Sequence, residues 1–295
     1  MNNCALIQTG EIQAIIGDDS RDGLGGTQYC GIWSLTSKHR PFNVFGNSYA
    51  GLIPGEMRGR SPEIISYGKT SCLLERKADK TYPVYSRAEY SVSAPYYLNH
   101  KFSFTDISDM RHKDCTFRIV TWCSYINSPE DPCLYFLSNG KWYNYISPSH
   151  GVEASIAPSY INEKNIEKWP SQSNSYGEQI TERPFYWNWH KERFDMPFYY
   201  GKLDNMVLIF IFDKPAWLRF FCSPTGGGKS LLHGKSCPAW DFMWIIPESA
   251  YSTGCEYTFR MRLVYKKFVS NDDVIVEYQK AQKELNFEKP SSVLS

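Results

Sequence analysis

The sequence predicts an all-β chain, a large and mainly antiparallel β-sandwich carrying one helix near its C-terminal end. Three observations lead there. Apolar and polar residues alternate with period two from end to end, Pro and Gly fall between these runs at turn-like spacing, and one stretch alone has clear helical periodicity.

Taken in order, the first strand pair brackets the turn at Thr9 and Gly10, and residues 96–104 and 115–126 alternate in the same way. In 255–266, Tyr257, Phe259, Met261, Leu263 and Tyr265 share one face, while Thr258, Arg260, Arg262 and Lys266 share the other. That is the pattern of a strand with one buried and one wet face. Met206–Phe212 is apolar throughout, which predicts a central strand covered on both sides; Asp213, Lys214 and Pro215 break it, and 217–222 resumes as a strand. In 271–287, Val274, Tyr278, Ala281 and Leu285 are spaced by four, three and four residues, which predicts a helix, with Ser270 and Asp273 as its capping pair. Residues 153–183 have weak periodicity and read as a long functional loop on a rigid scaffold. No internal repeat or shift of composition divides the chain, so 1–288 is expected to be one domain and 289–295 a frayed tail.

The 295 residues suffice for a core without disulfides or metals. With 32 Lys and Arg against 31 Asp and Glu, the net charge of +1 argues against nucleic acid as a partner, because phosphate binding needs a basic excess. Nine scattered cysteines, several inside strand patterns, read as buried reduced thiols of a cytoplasmic protein. The first residues carry no basic segment followed by an apolar one, and no apolar run approaches a membrane span, so neither a leader nor a membrane contact is expected.

Most chemical motifs fail on inspection. The run Ser223 to Ser230 ends like a phosphate-binding loop, but Ser223 stands where its first glycine belongs and a poor helix former follows. His112 with Cys115, and His233 with Cys237, offer two ligands each where a structural zinc needs four, so no metal is expected. No nucleophile elbow or catalytic cysteine setting is visible, and Cys123 and Cys222 read as small core residues.

Aromatic residues are the stronger signal. Phe, Trp and Tyr make up 16% of the chain, and many lie in polar, turn-rich segments such as Trp142-Tyr143-Asn144-Tyr145, Tyr186-Trp187-Asn188-Trp189-His190 and Phe198-Tyr199-Tyr200. A ring with an apolar face and a polar edge suits one face of a sugar, with Asn, Asp, Glu and Arg taking its hydroxyls; the competing reading is that these rings fill core and edges. Among the histidines, His100 sits on an apolar strand face and reads as core. His150 lies in a loop, and His190 lies in an aromatic cluster near Glu192 and Asp195. A loop histidine near carboxylates can serve as general acid or base. Asp241, beside Trp240 where a turn enters a strand, is either a partly desolvated base or a carboxylate that satisfies turn amides.

Three stretches together carry a resemblance. They are Tyr29-Cys30-Gly31-Ile32-Trp33-Ser34-Leu35-Thr36 with Asn43-Val44-Phe45; Asp195-Met196-Pro197-Phe198-Tyr199-Tyr200-Gly201; and Pro238-Ala239-Trp240-Asp241-Phe242 running on to Arg262-Leu263-Val264-Tyr265-Lys266. They resemble a family of bacterial proteins of similar length with no established reaction. The opening, a strand pair leading through Gly25-Gly26 into a long strand, is similar to the galactose mutarotase-like β-supersandwich. That resemblance implies a carboxylate base and a histidine acid across a sugar ring.

The expected partner is therefore a sugar or glycoside. In the enzyme reading His150 donates a proton and Asp241 or Glu56 accepts one, Arg58 and Arg183 bind hydroxyl or carboxylate groups, and Trp189, His190, Tyr199 and Trp240 line the ring. Epimerisation or mutarotation by such a pair needs no cofactor. A non-catalytic sugar-binding or assembly protein is the alternative, and a polysaccharide lyase or glycoside hydrolase a further one.

Overall fold

A computed structural model describes residues 3–18, 29–46, 51–111, 116–127, 129–162, 166, 188–225 and 237–290. One sheet has eight strands in the order β1 (Cys4–Gln8), β2 (Ile12–Gly17), β3 (Gly31–Ser37), β4 (Leu52–Pro54), β9 (Phe117–Ser124), β16 (Ala239–Pro247), β15 (Leu218–Ser223) and β12 (Ser155–Ile156). The other has nine in the order β11 (Lys141–Tyr145), β10 (Leu134–Ser138), β13 (Phe198–Leu203), β14 (Met206–Phe212), β17 (Glu256–Lys267), β8 (Tyr97–Asp106), β7 (Val84–Ser93), β6 (Ser71–Arg76) and β5 (Glu63–Tyr67). Neighbouring strands in both sheets are antiparallel, so the period-two patterns translate directly into faces.

The main core lies between the sheets. From β17 it receives Tyr257, Phe259, Met261, Leu263 and Tyr265, the five residues that the alternation assigns to one face. From β16 it receives Trp240, Phe242, Trp244 and Ile246, while Met243 and Ile245 point to the opposite face and pack in a separate cluster. The continuous apolar run of β14 has the expected cause. Met206, Leu208, Phe210 and Phe212 enter the main core, whereas Val207, Ile209 and Ile211 are covered by Val274, Tyr278 and Ala281 of the helix α1 (Asn271–Leu285).

The helix starts where its cap predicts, with Ser270 Oγ accepting from the Asp273 N–H at 3.2 Å. It stops two residues sooner than the apolar spacing alone implies, because Asn286 takes a left-handed conformation (φ 50°, ψ 51°) and turns the buried Phe287 back onto the sheet. His100 is a core residue, as expected. Trp122 Nε1 donates to its Nε2 at 3.2 Å, the other ring nitrogen meets Glu89 O at 3.1 Å, and burial lowers its pKa to about 4.

At one end of the sandwich an ion network is buried. Arg118 donates from Nη2 to Glu56 Oε2 and from Nε to Asp106 Oδ2, both at 2.8 Å, and Tyr251 and Tyr82 add hydroxyl donors to Asp106 and Glu56. No helix among the described residues is long and apolar enough to cross a membrane. The eight described cysteines are free thiols, and the described residues hold no cluster of three or more side chains able to share a metal. The phosphate-loop-like run from Gly226 onward, together with His112, Cys115 and His233, lies outside the described residues.

Candidate functional site

The outer face of the eight-stranded sheet, away from the main core, gathers chemistry from distant parts of the chain. Strand register produces it. Ile53 of β4 pairs with Cys123 of β9, and the β9–β16 register with the Tyr125–Ala239 bridge sets Cys123 opposite Asp241. Asp241 in turn pairs with Phe221 of β15. One transverse row therefore reads Ile53, Cys123, Asp241, Phe221, and Asp241 stands in its middle.

Asp241 is 4% exposed. Its Oδ1 accepts the Ser124 backbone N–H at 2.6 Å. The regular β9–β16 ladder ends at the Trp122–Phe242 pair and resumes only as the isolated Tyr125–Ala239 bridge, so the carboxyl takes up a backbone donor where the ladder is interrupted. Among the described residues nothing is hydrogen-bonded to Oδ2. Burial raises the Asp241 pKa to about 7, against the opposing pull of the Ser124 N–H and the positive charge of Arg58.

Arg58 stems from the turn after β4, held by Arg58 N–H to Gly55 O at 3.2 Å. Its guanidinium lies over the Tyr29 ring, 4.8 Å from the centroid, with Nη2 3.2 Å from Tyr29 Oη and Nη1 3.9 Å from Cys123 Sγ. Tyr125 packs edge-on to Tyr29 with centroids 6.4 Å apart. Burial, with the nearby Asp241 carboxylate, pushes the Cys123 thiol up to about 12, so it stays protonated and acts as a wall of the site.

His150 reaches the same face from the loop after β11. Its Nδ1 lies 2.9 Å from Ser223 Oγ, which also lies 3.0 Å from Thr225 O. Ser223 pairs with Ala239, two residues from Asp241 on the same strand face, a diagonal relation of about 7–8 Å between Cα atoms. Trp189 closes the other flank, packed against Phe117, Ala154, Phe221, Met243 and Ile245.

Asp241, Arg58, His150 and Trp189 are thus brought to one face, and the remaining expectations divide. Glu56 is an ion-pair partner of Arg118 inside the sandwich rather than a base open to a substrate. Tyr199 and Trp240 are wholly buried between the sheets instead of packing on a ligand. Tyr199 donates its hydroxyl to Trp240 O at 2.8 Å, and the Trp240 ring lies so close over Gly201 that a Cβ there would meet it at 1.9 Å. The Tyr199 segment reads as turn-rich because its aromatic run hides the alternation, yet Phe198–Leu203 is a strand. His190 is buried behind Trp189, stacked on Tyr145 at 3.8 Å, with its ring nitrogens 3.4 Å from Glu153 Oε2 and 3.3 Å from Tyr143 Oη. Burial lowers its pKa, which favours a neutral ring. Arg183 lies outside the described residues.

Sequence reasoning missed Cys123, Tyr125, Tyr29 and Ser223. Cys123, expected among the core residues, instead packs outside the main core with Ile53; its alternation with the core residue Trp122 is the signal that would have found it.

By sequence, no protein-family model and no curated protein matches the chain. By structure, it superposes on the "putative aldose 1-epimerase" of Escherichia coli K12 with a TM-score of 0.50 and 10% identity, over 90% of this chain and 99% of the other. The GalM/aldose epimerase homologue of C. elegans gives 0.47 at 8% identity, over 90% and 100% of the two chains. A "putative mutarotase" of Salmonella typhimurium gives 0.46 at 9%, over 89% and 90%. At 10% identity the likeness is one of fold, a mainly antiparallel, galactose mutarotase-like β-supersandwich.

Proposed function

We propose that the outer face around Asp241 binds a sugar or glycoside, and that Asp241 and His150 act on it as a cofactor-independent acid–base pair of the epimerase or mutarotase kind. One observation carries this reading: a buried carboxyl with a pKa of about 7 sits in the middle of the sheet, and among the described residues nothing is hydrogen-bonded to its Oδ2. A group so placed exchanges protons at neutral pH, which a carboxylate kept for structure alone has no need to do.

In the concrete sequence, Asp241 takes the proton of an anomeric hydroxyl while His150 gives one to the ring oxygen. The C–O ring bond breaks and an aldehyde forms. Reclosure on the other face returns both protons and yields the other anomer. Trp189 and Tyr29 offer flat apolar surfaces to the ring. The likeness to the Escherichia coli protein is one of fold, so the chemistry rests on Asp241 and not on that likeness.

The test is a thermal-shift screen against monosaccharides, uronic acids and oligosaccharides, followed by NMR exchange between the anomers of any sugar that raises Tm. Asp241→Asn and His150→Ala should retain binding and lose exchange. The absence of any shift at millimolar sugar, with folded protein, would refute the reading. A non-catalytic binding role is favoured by one feature, the insertion of Ser223 between His150 and Asp241. Binding without accelerated exchange would establish it.

A further inference from the structure

The state of Arg58 narrows the ligand. Among the described residues, the other buried or half-buried arginines meet carboxylates or backbone carbonyls, Arg219 and Arg193 being of the second kind. Arg76, Arg118, Arg260 and Arg262 each meet a carboxylate within 2.8 Å. Arg60 instead donates to two backbone carbonyls, each at 2.9 Å. Arg58 differs from all of these. Among the described residues it forms no ion pair, and its hydrogen-bond partners are the Tyr29 phenol at 3.2 Å, the Cys123 thiol at 3.9 Å and the Tyr125 phenol. A guanidinium has five N–H donors in a planar fork, and a thiol is a weak acceptor. A half-buried cation with donors to spare is stabilised by an anion that accepts two parallel hydrogen bonds.

We infer that Arg58 is the specificity residue of this site and that the ligand is an acidic sugar, one whose ring bears a carboxylate that the guanidinium holds in bidentate fashion. The inference rests on the sugar-site reading above and deepens it. Position supports it. The guanidinium bridges Tyr29 and Cys123, and Cys123 is the cross-strand neighbour of Asp241. A carboxylate on the fork therefore sets the rest of the ring over Asp241 and between the aromatic walls. Charge supports it as well. Asp241, raised by burial, is only part ionised at neutral pH and does not cancel the guanidinium. A single positive charge matches a carboxylate better than a phosphate dianion.

The experiment is calorimetric titration at pH 7 of matched pairs, glucuronate with glucose and galacturonate with galactose, with glucose 6-phosphate as a further arm. Wild-type protein should bind at least one uronate about tenfold or more tighter than its neutral partner. Arg58→Gln should erase that preference, so that the uronate binds no tighter than its neutral partner. Arg58→Lys, which keeps the charge but not the fork, should retain only part of it. Equal or tighter binding of the neutral sugars overturns the inference and leaves the sugar-site reading standing. A preference that survives Arg58→Gln also overturns it, and tighter binding of glucose 6-phosphate overturns the assignment to a carboxylate. If no sugar binds, both readings fall. Should Arg58→Gln fail to fold, the matched pairs on wild type and Arg58→Lys decide the question.

Discussion

Replacing Asp241 with asparagine should make this protein more stable at alkaline pH, and by an amount the structure sets. The folded protein holds the Asp241 proton up to about pH 7, whereas an unfolded chain releases it near the ordinary value of 3.8. Between those values the folded state binds the extra proton, so stability is greatest below pH ~4, declines as pH rises, and levels off above pH ~7. At about 1.4 kcal/mol per pH unit, the rise to about 7 corresponds to ~4 kcal/mol of stability lost at pH 8.5. Asparagine fits the same space and its Oδ1 can accept the Ser124 N–H, but it carries no charge to desolvate.

The measurement is urea unfolding of wild type and Asp241→Asn at pH 5 and at pH 8.5, followed by tryptophan fluorescence. In wild type, about two pH units of that decline lie between pH 5 and pH 7, so the variant's advantage should grow by ~3 kcal/mol from pH 5 to pH 8.5. If the difference between the two proteins stays constant to within about 0.5 kcal/mol, Asp241 does not titrate near neutral pH and the acid–base argument loses its footing.

Other substitutions test the rest of the structure. Arg118→Met leaves the buried Glu56 and Asp106 without their shared cation and should destabilise the fold by about 3–5 kcal/mol in urea; a loss under about 1 kcal/mol would show that the network is not formed. Tyr199→Phe removes the hydroxyl bonded to Trp240 O and should lower stability by about 1 kcal/mol while leaving any sugar-induced rise in Tm unchanged; a lost rise would return Tyr199 to the site. Ser270→Ala should cost about 1 kcal/mol, seen as faster hydrogen exchange in the first turn of α1, and unchanged exchange would mean that the cap is idle.

The fold was legible in the sequence because its signals are local. The five alternating residues of β17, the apolar run of β14 and the Ser270 cap each depend on neighbours a few positions away, and each took its expected place. The site was legible only in part. Asp241 could be picked out as a carboxylate entering a strand, but its alternative roles depended on what Ser124 does, 117 residues away. Glu56 was an alternative to Asp241 as the base, and what separates them is Arg118, which comes from a strand 62 residues further on. The aromatic runs misled for a related reason. In Phe198–Leu203 both faces of the strand are buried, one in the main core and one beneath α1, so ring-rich sequence there reflects two-sided burial and not a ligand platform.

The location of Asp241 is itself an argument for use. A carboxyl in the middle of a sheet, buried beside Cys123 and Phe221, is destabilising wherever it ionises, and an apolar residue of similar size would serve packing better. Glu56 and Asp106 are equally buried but are neutralised by Arg118, as buried carboxylates kept for structure usually are. Asp241 has no ion-pair partner among the described residues, and Arg58, the nearest cation acting on it, is engaged by Tyr29 and Cys123. Asp241 and Arg58 act on one another electrostatically without forming a salt bridge. On the reading proposed above, a ligand carrying a hydroxyl for Asp241 and an anion for Arg58 would give each group the partner it lacks among the described residues.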